Sequence, residues 1–346
     1  MKSFLRAGPV SEKPRTPDTR GQLLTNVFSR RFAISWLVLV VWSLFMWGTG
    51  SMALFRTYWP VSLTMTLGSF VSGATAEGGG AVAFPVFTKL LHIPSDTARD
   101  FALAIQSVGM TCGGLIIIRS GYAWLPHVFG WALAGAATTL IPGFLWLAPQ
   151  VPPPYPKIIF TLFTLCFGYF LWNANRRKRN IQNNIDIPPG RRLFGFFLTG
   201  ALGGLISSLV GSGADVLLFV VLCLRYDVDE RVGTRTTVIL MASVSTIGFL
   251  FRLLSGTLAP DVLPMWLCAA PIVAFGAPLG AAFCSGQARE NVVRFLLALI
   301  GIEFVSTLLL VPFDRTAVCF SLLFVTVALT CMRLLKKRCA DLPEGG

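Results

Sequence analysis

Two short segments place glycine and a carboxylate together inside apolar sequence. Glu77-Gly78-Gly79-Gly80 is followed by Pro85, and Gly211-Ser212-Gly213 is followed by Asp215. Glycine lacks the Cβ that restricts the backbone, so both segments read as breaks in helices rather than helix interior. A helix that restarts after such a break aims unpaired N–H groups, and about half a positive charge, at whatever lies ahead of it. Those donors suit an anion, which a glycine backbone also lets approach closely. Gly78, Gly79 and Gly80, and then Gly211, Ser212 and Gly213, are therefore candidate substrate-binding residues. Close packing of helices through small residues is the competing use of glycine in a membrane. A triple glycine that is echoed later in the chain favours binding.

Glu77 and Asp215 pull the other way, because a carboxylate repels the anion its neighbours invite. A charged group at the bilayer centre costs roughly 2.5–3.5 kcal/mol on insertion scales, so an idle one is disfavoured. Both are read as ion-coupling groups that take up and release a proton. Pairing with a buried cation and sodium ligation are the other two uses open to them. Glu303 is a third acid inside an apolar stretch, where a polar contact between helices would account for it. Gln106, Ser107 and Thr111 follow the first segment and Thr236, Thr237 and Ser243 the second. Gln106 and Thr236 are candidate substrate ligands, although such side chains also bond neighbouring helix backbones. Asp227, Glu230, Arg231 and Arg235 form a dense charged patch, read as structural ion pairs able to gate a cytoplasmic mouth. Arg252 and Arg294 fall near the ends of apolar runs, where long side chains reach toward water.

The elements that carry these residues follow from composition. The chain has 346 residues, of which 54% are hydrophobic and only 13% charged. A soluble domain carries about 25% charged residues. Apolar runs near 32–54, 99–118, 122–147, 156–173, 234–254, 262–284, 291–311 and 315–335 are each long enough to cross a bilayer. Two longer stretches, 58–91 and 193–226, are interrupted by the glycine segments. The expected fold is an all-α polytopic membrane protein with about eight full spans and two re-entrant or broken-helix hairpins. The net charge of +13 comes from basic clusters that flank the apolar runs. The positive-inside rule explains them without a nucleic-acid partner.

Charge also constrains topology. If residues 1–31 are cytoplasmic and both interrupted stretches leave on the side they entered, the cluster at 175–180 and the C-terminal tail also lie inside. Loops 148–155 and 255–261, with no lysine or arginine, then lie outside. Both termini are thus expected in the cytoplasm, with the particular cellular membrane left open. Elements starting at 58, 99 and 156 have counterparts at 193, 234 and 291, each 135 residues on. A unit of one hairpin and three crossings has an odd number of passes, so its second copy enters from the opposite side. That is an inverted repeat, the arrangement of secondary transporters. The resulting divisions are a basic tail (1–31), an extra first span (32–57), repeat 1 (58–173), a basic linker (174–192), repeat 2 (193–311), and a last span with a basic tail (312–346).

The stretch EGGGAVAFPVFTKL, followed by PSDTARDFALAIQS, resembles the first signature of the TauE/SafE-type sulfite and sulfonate exporters. GGLISSLVGSGADVLLFVVL with DERVGTRTTVILMAS is similar to the second. The resemblance covers about 60–310. It implies transport of small sulfur-containing anions such as sulfite or sulfonates, ion-coupled, with Gly78 to Gly80 and Gly211 and Gly213 at the Gly-rich turns. Glu77, Asp215 and the lack of a second proline near Phe219 depart from that pattern. A nucleotide-driven pump is disfavoured, because no phosphate-binding loop is present. The alternatives to a secondary transporter are an anion channel, a non-transporting membrane scaffold and a membrane-embedded transferase. The eight scattered cysteines and two isolated histidines offer no metal-ligand spacing, and no cofactor is expected. The partners expected are a small anionic solute and the lipid bilayer.

Overall fold

The computed structural model describes residues 32–74, 80–119, 121–175, 191–285 and 289–340. Every regular element among them is helical: α1 (Ala33–Gly48), α2 (Leu54–Ala74), α3 (Gly80–Pro85), α4 (Ser95–Arg119), α5 (Pro126–Pro142), α6 (Pro154–Asn175), α7 (Arg191–Val210), α8 (Ala214–Arg225), α9 (Glu230–Leu254), α10 (Val262–Ser285), α11 (Arg289–Leu310) and α12 (Arg315–Ala340). Wide π-helical turns extend α3 over Val86–Leu90 and α5 over Gly143–Leu147. Among the described residues, seven helices are long and apolar enough to cross a membrane, and α1 with α2 makes an eighth if that bent pair is one span. Local sequence sets the starts. Asp229 accepts from the Arg231 amide at 2.7 Å to cap α9, and Pro126 supplies the fixed φ that suits the first turn of α5.

The apolar run 32–54, expected to be one crossing, contains a helix break near its end. After Gly48 the Thr49 and Gly50 amides close back on the Phe45 and Trp47 carbonyls. Gly50 then turns left-handed at φ 66°, and α2 leaves at 103° to α1. This is a helix stop of the kind glycine provides, set inside sequence whose apolarity never lapses. The stretch 193–226 is also less even than a hairpin of two equal arms. Its first arm, from Leu193 to Val210, is long enough to cross unaided, whereas α8 has 12 residues and doubles back. Ala214 lies against Gly203, and Tyr226 packs on Phe196 with ring centroids 5.1 Å apart.

α4 and α9 cross the middle of the bundle antiparallel, with Asp100 opposite Arg252, Leu103 against Gly248 and Gly114 against Ile239. Each is 25 residues long, about 37 Å at 1.5 Å per residue, and their most apolar windows are 56% buried. Around them α2 packs along α10 and α5 along α7. Backbones meet there without intervening side chains: a Cβ on Gly73 would overlap the Ala277 carbonyl, and one on Gly135 the Phe197 carbonyl. Small residues at such crossings are how membrane helices gain dispersion contact where lipid offers no hydrophobic drive. Leu37, Leu44, Leu309 and Leu322 point outward and are more than half exposed, as lipid-facing side chains are.

Candidate functional site

The break between α7 and α8 is a compact, buried junction. Gly211 has φ +83° and Gly213 φ +141°, conformations that side-chain-bearing residues rarely adopt. A Cβ on Gly211 would also sit 2.6 Å from the Arg99 carbonyl oxygen, and one on Gly213 2.6 Å from Ile206 Cγ2. Space and dihedral angle thus both demand glycine here. The amides expected to face an anion are engaged within the chain. Gly211 donates to the Ser207 carbonyl at 2.8 Å, Ala214 to Ser207 Oγ at 3.3 Å, and Gly213 to Asp215 Oδ1 at 3.1 Å. The Ser212 side chain also bonds this carboxylate. Asp215 therefore occupies the position in front of the α8 N-terminus that an external anion would take, where a negative charge is favoured.

α4 holds the junction from the other side. Gln106 donates through Nε2 to the Ala102 carbonyl and to the Gly211 carbonyl, each at 3.0 Å. Those two acceptors fix the orientation of its amide and leave Oε1 without a partner. Asp215 Oδ2 is likewise buried without a hydrogen bond. Two unsatisfied oxygens at one junction, on side chains each 1% exposed, make a strong demand for a proton or another donor.

The other sequence candidates fall elsewhere. Thr236 donates to the Val232 carbonyl at 2.8 Å and accepts from the Leu125 amide at 3.0 Å, tying α9 to the start of α5. In the charged patch, Arg235 stacks over Tyr122 at 4.4 Å, Asp227 has φ +49°, and Arg231 is exposed. Glu230 lies in the first turn of α9, where an acid complements the helix dipole. Gly80 begins α3, and Glu77, Gly78 and Gly79 lie outside the described residues.

Two buried ionic clusters were missed as clusters. Glu303 is not an isolated acid. Lys89, on the π turn after α3, donates to Glu303 Oε1 at 2.6 Å and to Thr307 and Ser306, while Thr161 adds a 2.8 Å bond to the same Oε1. Arg252 does not reach toward water as expected. Its Nε and Nη2 donate to Asp100 Oδ2 at 3.1 and 2.7 Å, and Arg99 takes Asp100 Oδ1 at 2.9 Å. Sequence contained one signal for each: a lysine and an Arg-Asp pair inside otherwise apolar helices. Their partners lie 214 and 152 residues away in the chain.

A helical bundle with seven or eight apolar spans and a polar helix break buried among them is a multi-pass integral membrane protein of the transporter class. A family model described as sulfite exporter TauE/SafE matches residues 61–309, and the chain belongs to that family of membrane transporters. It is similar to a protein of Sinorhizobium fredii named as a probable membrane transporter protein, 25% identical over 220 residues, which cover 64% of this chain and 83% of that one. No solved structure matches the chain. The family is one of transporters rather than enzymes.

Proposed function

We propose that the protein is a secondary transporter of small anions, sulfite, sulfonates or related sulfur oxyanions, working by alternating access with proton coupling. The observation that carries this reading is the bond from Gly213 N–H to Asp215 Oδ1, beside an Oδ2 that has no partner. In the described conformation the carboxylate plays the part of the substrate. A proton arriving on Asp215 weakens its hold on the Gly213 amide and leaves that donor, with the Ser212 hydroxyl, for an incoming oxyanion. Proton and anion then enter the site together. Glu77 and Gly78 to Gly80 are assigned the equivalent roles in the first half of the chain.

An inverted repeat gives this chemistry its two states. Both ends of α9 fall 135 residues after those of α4, and both ends of α11 fall 135 after those of α6. The packing of α2 on α10 and of α5 on α7 is what a two-fold relation between halves would produce, each first element meeting the other copy's fourth. The antiparallel α4 and α9 would lie across that axis. The domain limits are those of repeat 1 at 58–173 and repeat 2 at 193–311, joined by the 174–192 linker. With both termini cytoplasmic, the 227–235 patch, where Arg235 stacks on Tyr122, would guard the inner mouth.

The test is flux of radiolabelled sulfite and sulfonates into proteoliposomes, with and without a pH gradient. Saturable uptake that the gradient accelerates supports the reading. Ion conductance without saturable uptake would identify a channel, and absence of flux for every anion tried would overturn the proposal.

A further inference from the structure

Asp100 is held between two arginines. It is fully buried, the Arg99 side chain is 7% exposed and the Arg252 side chain 16%. Arg99 gives Nε and Nη2 to one carboxylate oxygen, and Arg252 gives the same two groups to the other. A guanidinium has five N–H donors, so each arginine keeps three that Asp100 does not use. Neither has a second carboxylate within ion-pair distance among the described residues. The cluster therefore carries one positive charge more than it neutralises, in a place where an uncompensated charge is costly. Phe144 closes one side, its ring centroid 5.4 Å from Arg99 Cζ and 5.9 Å from Arg252 Cζ, and Phe251 stacks behind it at 6.1 Å. The cluster also adjoins the helix break, because the Arg99 carbonyl is the group against which Gly211 packs.

We infer that Arg99 and Arg252 together form a recognition site for a small oxyanion, placed where α4 begins and α9 ends, next to the α7–α8 junction. The inference rests on the reading of the protein as an anion transporter and deepens it by assigning the groups that select the substrate. Planar guanidiniums bind oxyanions through paired N–H···O bonds, and two of them fixed on one carboxylate can contact two oxygens of one ligand. The aromatic wall of Phe144 and Phe251 leaves no room on that side, which favours compact ligands with little beyond the charged group. Asp100 orients the arginines and competes with the ligand for them. At the opposite end of the same helix pair, Arg235 stacks on Tyr122.

The opposed effects of the arginines and the aspartate give the test. Affinity for inorganic sulfate and for methanesulfonate would be measured by calorimetry on the purified full chain in nanodiscs, alongside flux in proteoliposomes. Arg252→Gln and Arg99→Gln should each weaken binding about tenfold or more, as loss of charged hydrogen bonds does. Asp100→Asn should tighten it, because a competitor is removed while both arginines stay. If folded arginine variants bind both anions as well as the parent while the parent still transports, the site is wrong and the transport reading survives. Weakening in Asp100→Asn equal to that in the arginine variants would make the cluster purely structural and overturn the site as well. A parent protein that neither binds nor moves any oxyanion would overturn both.

Discussion

The Gln106 side chain donates to the Gly211 carbonyl at 3.0 Å, joining the middle of α4 to the break between α7 and α8 across 105 residues of sequence. It satisfies a backbone oxygen that the interrupted helix cannot. Replacing Gln106 with Leu leaves that carbonyl unpaired in a buried place, a loss of about 1–3 kcal/mol. The expected outcome is a lower unfolding temperature in detergent, with a fall in flux. Gln106→Glu tests the amide itself, since a carboxylate offers the carbonyl no N–H.

Asp215→Asn separates the shape of the junction from its charge. The amide oxygen can still accept from the Gly213 N–H, so folding should be retained. If Asp215 takes up the coupling proton, the variant loses the response of flux to a pH gradient while keeping downhill exchange. Uptake at matched internal and external pH, compared with uptake across a gradient, reads the difference. A variant with an unchanged pH response would remove Asp215 from coupling.

Glu303 and Lys89 predict a non-additive pair. Glu303→Gln strands a buried ammonium, and breaking such a pair from one side costs about 3–5 kcal/mol. Replacing both, as Lys89→Met with Glu303→Leu, removes the stranded charge and should recover most of that stability. Unfolding midpoints of the two single variants and the double variant measure the coupling. Additive losses would show that the ion pair contributes nothing as a pair.

Gly211 and Gly50 both have positive φ, yet their surroundings differ. At Gly50 nothing lies within 4 Å of the place a Cβ would take, so Gly50→Asn should be tolerated, asparagine being at ease in left-handed turns. At Gly211 any side chain meets the Arg99 carbonyl oxygen, and Gly211→Asn or Gly211→Ala should lose about 2 kcal/mol or more through strain and overlap. Expression level and monodispersity on gel filtration distinguish the two sites.

Outside the spans, Asp314 caps α12. The Ala317 amide donates to Oδ1 at 2.8 Å and the Thr316 hydroxyl to Oδ2 at 2.9 Å, and these bonds hold its carboxyl below the ordinary value of 3.8. A carboxylate held low adds stability that is fully present above the ordinary value and is lost as pH falls through the lowered one. Acid unfolding of the parent should therefore include a component below pH 3.8 that Asp314→Asn lacks. Thermal melts across that range, parent against variant, measure it.

Much of the frame was legible in the sequence because membrane insertion imposes a simple rule on composition. Runs of apolar residues marked the helices, and glycine pairs marked the break at 211–213. The break after Gly48 was hidden for the same reason, since apolarity continues through Thr49-Gly50 and only local chemistry betrays the stop. At the site, Gln106 and Asp215 were visible as polar residues in apolar surroundings. The pairing of Asp100 with Arg252 and of Lys89 with Glu303 was not, because each partner taken alone has an innocent explanation near a helix end or between helices. Only the antiparallel register of α4 and α9 brings residue 100 to residue 252.

The way α2 packs on α10, and α5 on α7, has a consequence for biogenesis. The first long helix of each half finds its main companion in the other half, so neither of these two helices reaches its main partner until both halves are made. During synthesis α2 enters the bilayer about 200 residues before α10 is made, a wait of roughly 10–40 s at ordinary elongation rates. Throughout that interval the exposed backbone of Gly73 has lipid where Ala277 will be. Chains that stall in the linker would present an unpaired small-residue surface to the membrane, a recognisable mark for quality-control proteases. Co-expressed halves, by contrast, would be expected to assemble only with each other.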